Sequence, residues 1–209
     1  MWKNNNYESF DHFLDFFSSR NRKNLKKERR KIAEQDLEIK QFTGNQISLD
    51  VVDDFYSFYV DTHLRRSGHS GYLNKDFFEE ITQTIADNIL IILAYKNGRA
   101  VAGSFFFYDQ NNLYGRYWGA SSDFDALHFE CCYYQGIDFC IEKNIKRFDP
   151  GVQGEHKIKR GFEPTFTFSS HWIENYDFSL AINDFLLRED KYIKDYHQDA
   201  STLLPFKNI

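Results

Sequence analysis

Apolar positions recur first at helical spacing along this chain, then at the spacing of strands. In residues 7–17, Phe10, Phe13, Leu14 and Phe17 fall three and four apart, the mark of a helix with one buried face. Ser18 or Ser19 is placed to cap a second helix reaching about Gln35, whose Leu25, Ile32 and Ala33 make only a narrow apolar stripe. Residues 37–42 set Leu37 and Ile39 against Glu38 and Lys40, as a strand does. A long helix opens at Ser48 with Val51, Val52, Phe55, Phe58, Tyr59 and Thr62 on one face, and Gly68 and Gly71 interrupt it. Asn74 is placed to cap the next helix, through Phe77, Phe78, Ile81 and Ile85.

The period then changes. Residues 89–95 and 99–108 read as strands joined by Asn97-Gly98, a strong hairpin signal. A second turn at 109–112 leads into residues 113–119, which completes an antiparallel meander. Asp125 or a residue next to it is placed to cap a helix over about 126–143 that is apolar nearly all round and therefore deeply buried. Residues 145–149 read as a short strand, a glycine-rich turn follows, and residues 165–173 alternate again. Residues 176–196 close the pattern as an amphipathic helix. This order predicts an α/β (α+β) fold with a central antiparallel meander flanked by helices.

Composition narrows the class. Of 209 residues, 42 % are hydrophobic and 18 % aromatic, with 22 Phe and 13 Tyr, so the chain has ample surface to bury in one domain. We expect a single domain over 1–209, with a helical lead-in at 1–35, a core at 36–175 and a helix and tail at 176–209. The formal net charge of −5 gives no global field for nucleic acid or anionic lipid. Locally, however, residues 20–31 carry eight basic side chains against the single acid Glu28. No apolar run approaches the ~20 residues of a membrane span. No secretory signal is expected at the N-terminus, which leaves a cytoplasmic protein as the expectation. Cys131, Cys132 and Cys140, odd in number and without CxxC spacing, read as reduced thiols, with neither a disulfide framework nor a metal site.

Candidate chemistry concentrates after the 145–149 strand, in Asp149-Pro150-Gly151-Val152-Gln153-Gly154-Glu155-His156-Lys157-Ile158-Lys159-Arg160-Gly161-Phe162. Ligands gather beyond strand ends in α/β sheets. Glu155 and His156 are residue types used for proton transfer, and Lys157 and Arg160 suit a phosphate or carboxylate. A solvated surface loop explains the same stretch. His171 lies on the polar face of the 165–173 strand, lining a cleft or facing water. Glu130, on the apolar helix, must be paired or carry a raised pKa, which suits either a structural ion pair or a general base. Arg116 shares a strand face with Tyr114 and Trp118, where cation–aromatic packing explains it. Arg116-Tyr117-Trp118-Gly119-Ala120-Ser121 also loosely resembles the Arg/Gln-x-x-Gly-x-Gly/Ala loop that cradles coenzyme A pyrophosphate. Ser121 and Ser122 would then meet phosphate at a helix start. The basic helix is a solvated face or a dock for a phosphate-rich donor.

Leu127-His128-Phe129-Glu130-Cys131-Cys132-Tyr133-Tyr134-Gln135-Gly136-Ile137, then residues 147–157, Arg160-Gly161-Phe162 and Ser170-His171-Trp172 together resemble the bacterial N-acyltransferases related to the Fem peptidoglycan aminoacyl transferases. The basic helix, Gly71-Tyr72-Leu73 and Phe77-Phe78 fit the same resemblance, which covers the chain from about residue 15. It implies a GNAT-type fold and transfer of an acyl or aminoacyl group to an amine, with acyl-coenzyme A as the expected co-substrate and no tightly bound cofactor. Glu155, Glu130 or His156 would act as base, with Gln153, Lys157 and Arg160 on the ligand. Two other functions fit the resemblance: an aminoacyl-tRNA-dependent transferase docking tRNA on residues 20–31, and a non-catalytic GNAT-like binding module. Members of that family are usually about twice this length, so a second GNAT unit or a second copy is an expected partner.

Overall fold

The computed structural model describes residues 1–152 and 154–207. They form two compact units: Trp2–Val152, and the residues after it together with Met1.

The larger unit is built on strands β1 (Trp2–Lys3), β2 (Leu37–Thr43), β3 (Ile89–Lys96), β4 (Arg99–Tyr108), β5 (Asn112–Ala120) and β6 (Arg147–Asp149). They make one sheet in the order β1-β6-β5-β4-β3-β2, with every neighbouring pair antiparallel except β5 and β6, which run parallel. The expected meander is β3, β4 and β5. Asn97 and Gly98 turn its first hairpin with φ of 52° and 75°, the two left-handed residues of a type I′ turn. β1, which the hydrophobic pattern gave no reason to expect, pairs Trp2 with Phe148 at the far edge.

Helices α3 (Leu49–Ser67) and α4 (Lys75–Thr84) begin where their caps predict. The Ser48 hydroxyl accepts from the Val51 amide and the Asn74 side chain from that of Phe77. Gly68, at φ 72°, ends α3 in the left-handed conformation that glycine tolerates. These helices cover one sheet face, burying Val52, Phe55, Phe58, Tyr59 and Phe78 against Ile91, Leu93 and Phe105. β3 lies inside the sheet, so its run from Ile89 to Ala94 is buried on both faces.

The expected 126–143 helix forms in three parts: α5 (Leu127–Phe129), a π-helical segment (Glu130–Tyr134) and α6 (Gln135–Glu142). Asp125 does not cap it. Ala126 holds the cap position at φ 64° with no side-chain bond, and Asp125 instead pairs with Lys31. Inside the π turn, where the ladder shifts register, the buried Ser104 hydroxyl of β4 donates to the Cys131 carbonyl at 2.9 Å. Gly136 lets α6 approach closely, since a Cβ there would stand 2.6 Å from the Phe148 ring. Before this layer come α1 (Phe10–Asp15) and α2 (Ser19–Glu34), packed through Phe10, Phe13 and Leu14.

The smaller unit holds a 3₁₀ helix (Glu155–Arg160) and α7 (Tyr176–Thr202). Residues 165–173 are not a strand. They run exposed with no neighbouring strand in this unit among the described residues, and alternation without a partner ladder makes no sheet.

Candidate active site

β5 and β6 pair only over Asn112–Tyr114 and Arg147–Asp149, and then part. β5 continues to Ala120, so residues 115–120 have backbone donors and acceptors that, among the described residues, meet no strand on that side. This is the carboxyl end of the parallel pair β5–β6, where α/β sheets take ligands. A bulge sits at the same place: Phe106 faces Gly115 while Phe105 faces Tyr117, which leaves Arg116 as the extra residue. Bulges re-aim side chains. Tyr117 therefore turns toward α3, its ring 5.3 Å from that of Tyr59, whereas Trp118 turns to α5 and stands 5.4 Å from His128. The expected stripe of Tyr114, Arg116 and Trp118 is broken by the bulge, although Arg116 does lie 5.5 Å over the Tyr114 ring.

The end of α3 borders this open edge. Gly119 is pressed against the Phe58 carbonyl, Arg65 donates to the Ala120 carbonyl, and Tyr59 packs on Tyr117. Next to Tyr59, ring to ring at 4.3 Å, stands His63, and His69 follows at 6.0 Å from His63. The Tyr59 hydroxyl, on a buried side chain, accepts from the amides of Tyr72 and Leu73. Gly71 makes this possible: at φ 95° it passes so near the Tyr59 ring that a Cβ would lie 2.5 Å from it. Neither histidine stood out in the sequence. The available signal was His63 one turn beyond Tyr59 on α3, and His69 between two glycines.

Ser121 and Ser122 follow β5 and are exposed. Both the amide and the hydroxyl of Ser121 donate to the Val101 carbonyl, at 2.8 and 3.0 Å, which extends the β4–β5 ladder. Glu130 is buried and held by Arg29 at 2.9 Å and by the Gln135 amide at 2.7 Å. Arg29 also binds Asp138 at 2.7 Å. Burial works against the Arg29 charge, but the Glu130 and Asp138 carboxylates outweigh it and hold the guanidinium above its usual value. On α2, Arg22, Lys26, Arg30 and Lys31 are likewise paired, with Asp15, Asp11, Glu34 and Asp125. A hollow of about 450 Å³ between α1 and α2 is lined by Lys26 and Arg29, whose charges those pairs already satisfy.

The remaining sequence candidates fall in the smaller unit. Glu155 accepts from the Tyr196 hydroxyl at 2.8 Å. His156 stacks over Gly154, where a Cβ would lie 2.3 Å from its ring, and burial, then Arg160 and Lys157, push its pKa down. Arg160 is buried and donates to the His156 carbonyl at 2.8 Å. Lys157 is half-buried, and His171 is exposed, 3.0 Å from the Ser169 hydroxyl. Gln153 lies outside the described residues. Cys131 and Cys140 are buried and Cys132 is half-buried, and none of them is in a disulfide. Among the described residues, no cluster of three or more metal-ligating side chains occurs and no helix is long and apolar enough to cross a membrane.

A family profile described as peptidoglycan biosynthesis/recognition, FemAB-like, matches residues 1–208. The chain belongs to the FemAB-like family. No curated protein matches this FemAB-like chain. Among solved structures, a protein described as a possible acetyltransferase from Clostridium difficile 630 superposes with a TM-score of 0.50 at 12 % identity, covering 66 % of this chain and 99 % of its own. That likeness shows an acetyltransferase-like, GNAT-type fold. L-PGS from Bacillus licheniformis matches 66 % of this chain at 16 % identity and a TM-score of 0.49, over 44 % of its own length. An aminoglycoside acetyltransferase from an uncultured soil metagenomic sample matches 69 % of the FemAB-like chain and 98 % of its own, at 12 % identity and a TM-score of 0.46.

Proposed function

We propose that this chain is an N-acyltransferase that moves an acyl group from an acyl-coenzyme A-type thioester to an amine. The observation that carries the reading is the parting of β5 from β6, with the backbone of 115–120 left open. A donor whose arm carries amides can pair with such an edge as an added strand does, and the parting gives its reactive end a way in between the strands. Ser122 and the amides before α5 follow the same edge and suit the donor's phosphates. The reaction needs little more than placement. The amine nitrogen attacks the thioester carbonyl, negative charge develops on its oxygen, the carbon–sulfur bond breaks, and the sulfur leaves with the electron pair.

An acyl thioester is preferred over aminoacyl-tRNA because the basic face of α2 is largely spent within the protein: Arg22, Lys26, Arg29, Arg30 and Lys31 each hold a carboxylate. A phosphate contact at any of these five would first have to break an ion pair. Calorimetric titration with acetyl-coenzyme A and longer acyl-coenzyme A thioesters tests the reading. Saturable binding is expected. An absence of heat from every thioester, alongside binding to tRNA, would replace this donor with the other.

A further inference from the structure

His63 and His69 present opposite faces of imidazole chemistry, and their backbone partners decide which is which. Nδ1 of His63 lies 2.9 Å from the Tyr59 carbonyl oxygen, which can only accept, so Nδ1 carries the proton and Nε2 keeps its lone pair. Nδ1 of His69 accepts from the Gly71 amide at 3.1 Å, so there the lone pair is on Nδ1 and the proton on Nε2. One ring thus offers a proton acceptor and the other a donor, with ring centres 6.0 Å apart. Both side chains are half-buried, and among the described residues Nε2 of neither ring has a hydrogen-bond partner.

The pair is built into the fold. His63 packs at 4.3 Å on Tyr59, which fixes the loop through two amides and touches Tyr117 of the open β5 edge. His69 packs at 5.0 Å on Tyr72 of the same loop. The charged and titratable groups around His63 are Asp61, Arg65 and Arg66 on its own helix, Tyr59 beneath it, His69 and Tyr72 on the loop, and Tyr117 on β5.

We propose that His63 and His69 are the acceptor-side pair of the acyl transfer, His63 taking the amine proton on Nε2 while His69 donates from Nε2–H to the oxygen of the reacting carbonyl. The assignment rests on the acyltransferase reading. His63 first takes a proton from the bound ammonium, which exposes the nitrogen lone pair, and the second nitrogen proton leaves to solvent once the nitrogen–carbon bond has formed. When the carbon–sulfur bond breaks, the thiolate takes the proton held on His63, leaving amide, free thiol and both rings as they began. His69 keeps its proton throughout and only donates a hydrogen bond.

Two measurements on the full chain test the pair. Long-range ¹⁵N–¹H correlation spectra, at a pH where both rings are neutral, should show His63 protonated at Nδ1 and His69 at Nε2. Free-thiol release from acetyl-coenzyme A should then be followed with glycinamide, glucosamine and lysine as acceptors, and with hydroxylamine, whose nitrogen is unprotonated at neutral pH. His63→Gln should lose roughly 10²–10⁴-fold with the amine that wild type accepts, yet keep turnover with hydroxylamine, which needs no base to expose its lone pair. His69→Gln should lose turnover with both. The spectra need no variant to fold and stand independently of turnover. His63 protonated at Nε2, or equal losses with both nucleophiles in His63→Gln, would overturn the pair while leaving acyl transfer intact. Should wild type acylate no amine at all, the acyltransferase reading itself fails and takes the base with it.

Discussion

Arg29 and Glu130 illustrate what burial requires of a charge. Glu130 keeps only 4 % of its side-chain surface, and one of its oxygens, Oε2, is buried without a hydrogen-bond partner among the described residues. The other oxygen carries the whole interaction, receiving Arg29 and Gln135. Gln135 is in turn tied to Gln41 of β2 at 2.8 Å, so the network links α2, the π segment, α6 and the sheet. Removing one partner leaves the other charge buried and uncompensated, a loss of about 3–5 kcal/mol in comparable pairs, whereas removing both can be nearly neutral. Arg29→Met should therefore destabilise strongly in urea unfolding, and the double variant Arg29→Met/Glu130→Met should recover much of the loss. Equal destabilisation by single and double variants would show that the pair contributes little beyond the space it fills.

At the scale of elements, the parts of the fold legible in sequence were those whose signals are local. Ser48, Asn74, Gly68 and Asn97-Gly98 act on backbone within a few residues of themselves, and each marks the boundary it was read to mark. What sequence could not give were features set by partners. β1 is two residues long and exists because Phe148 lies opposite Trp2. The π turn leaves the apolar pattern of its helix unchanged, and the β5 bulge at Arg116 is invisible until β4 supplies the register. The candidate site follows this division. Its loop glycines and polar residues were noticed, but the His63–His69 pair depends on Tyr59, Gly71 and the approach of α3 to β5. Gly119 governs that approach. A Cβ there would stand 2.1 Å from the Phe58 carbonyl oxygen, a backbone atom that cannot rotate away. Gly119→Ala should cost about 1–3 kcal/mol, as overpacking does, and lower the midpoint of thermal unfolding. A variant as stable as wild type would mean that α3 can withdraw from β5 freely.

Burial is divided very unequally over the whole molecule. The unit Trp2–Val152 contains all six strands, the Phe55–Phe78–Phe105 cluster and the Arg29 network. A chain of about 150 residues can bury some 68–70 % of its surface, enough for independent stability. The smaller unit has no such reserve. Of α7 only Ala200 is buried, while Phe178, Leu187 and Tyr192 stay 58, 78 and 67 % exposed. A helix gains most of its stability in a protein by packing an apolar face, and α7 packs very little of its own. The two parts should therefore behave differently when separated. Residues 1–152 should keep a cooperative thermal transition by circular dichroism, and with it the β5 edge and the His63–His69 pair. Residues 154–207 alone should melt gradually, without a cooperative transition. A gradual melt for 1–152 would mean that the sheet depends on the C-terminal residues for its stability, and the open edge would then have to be understood as part of a larger cooperative unit.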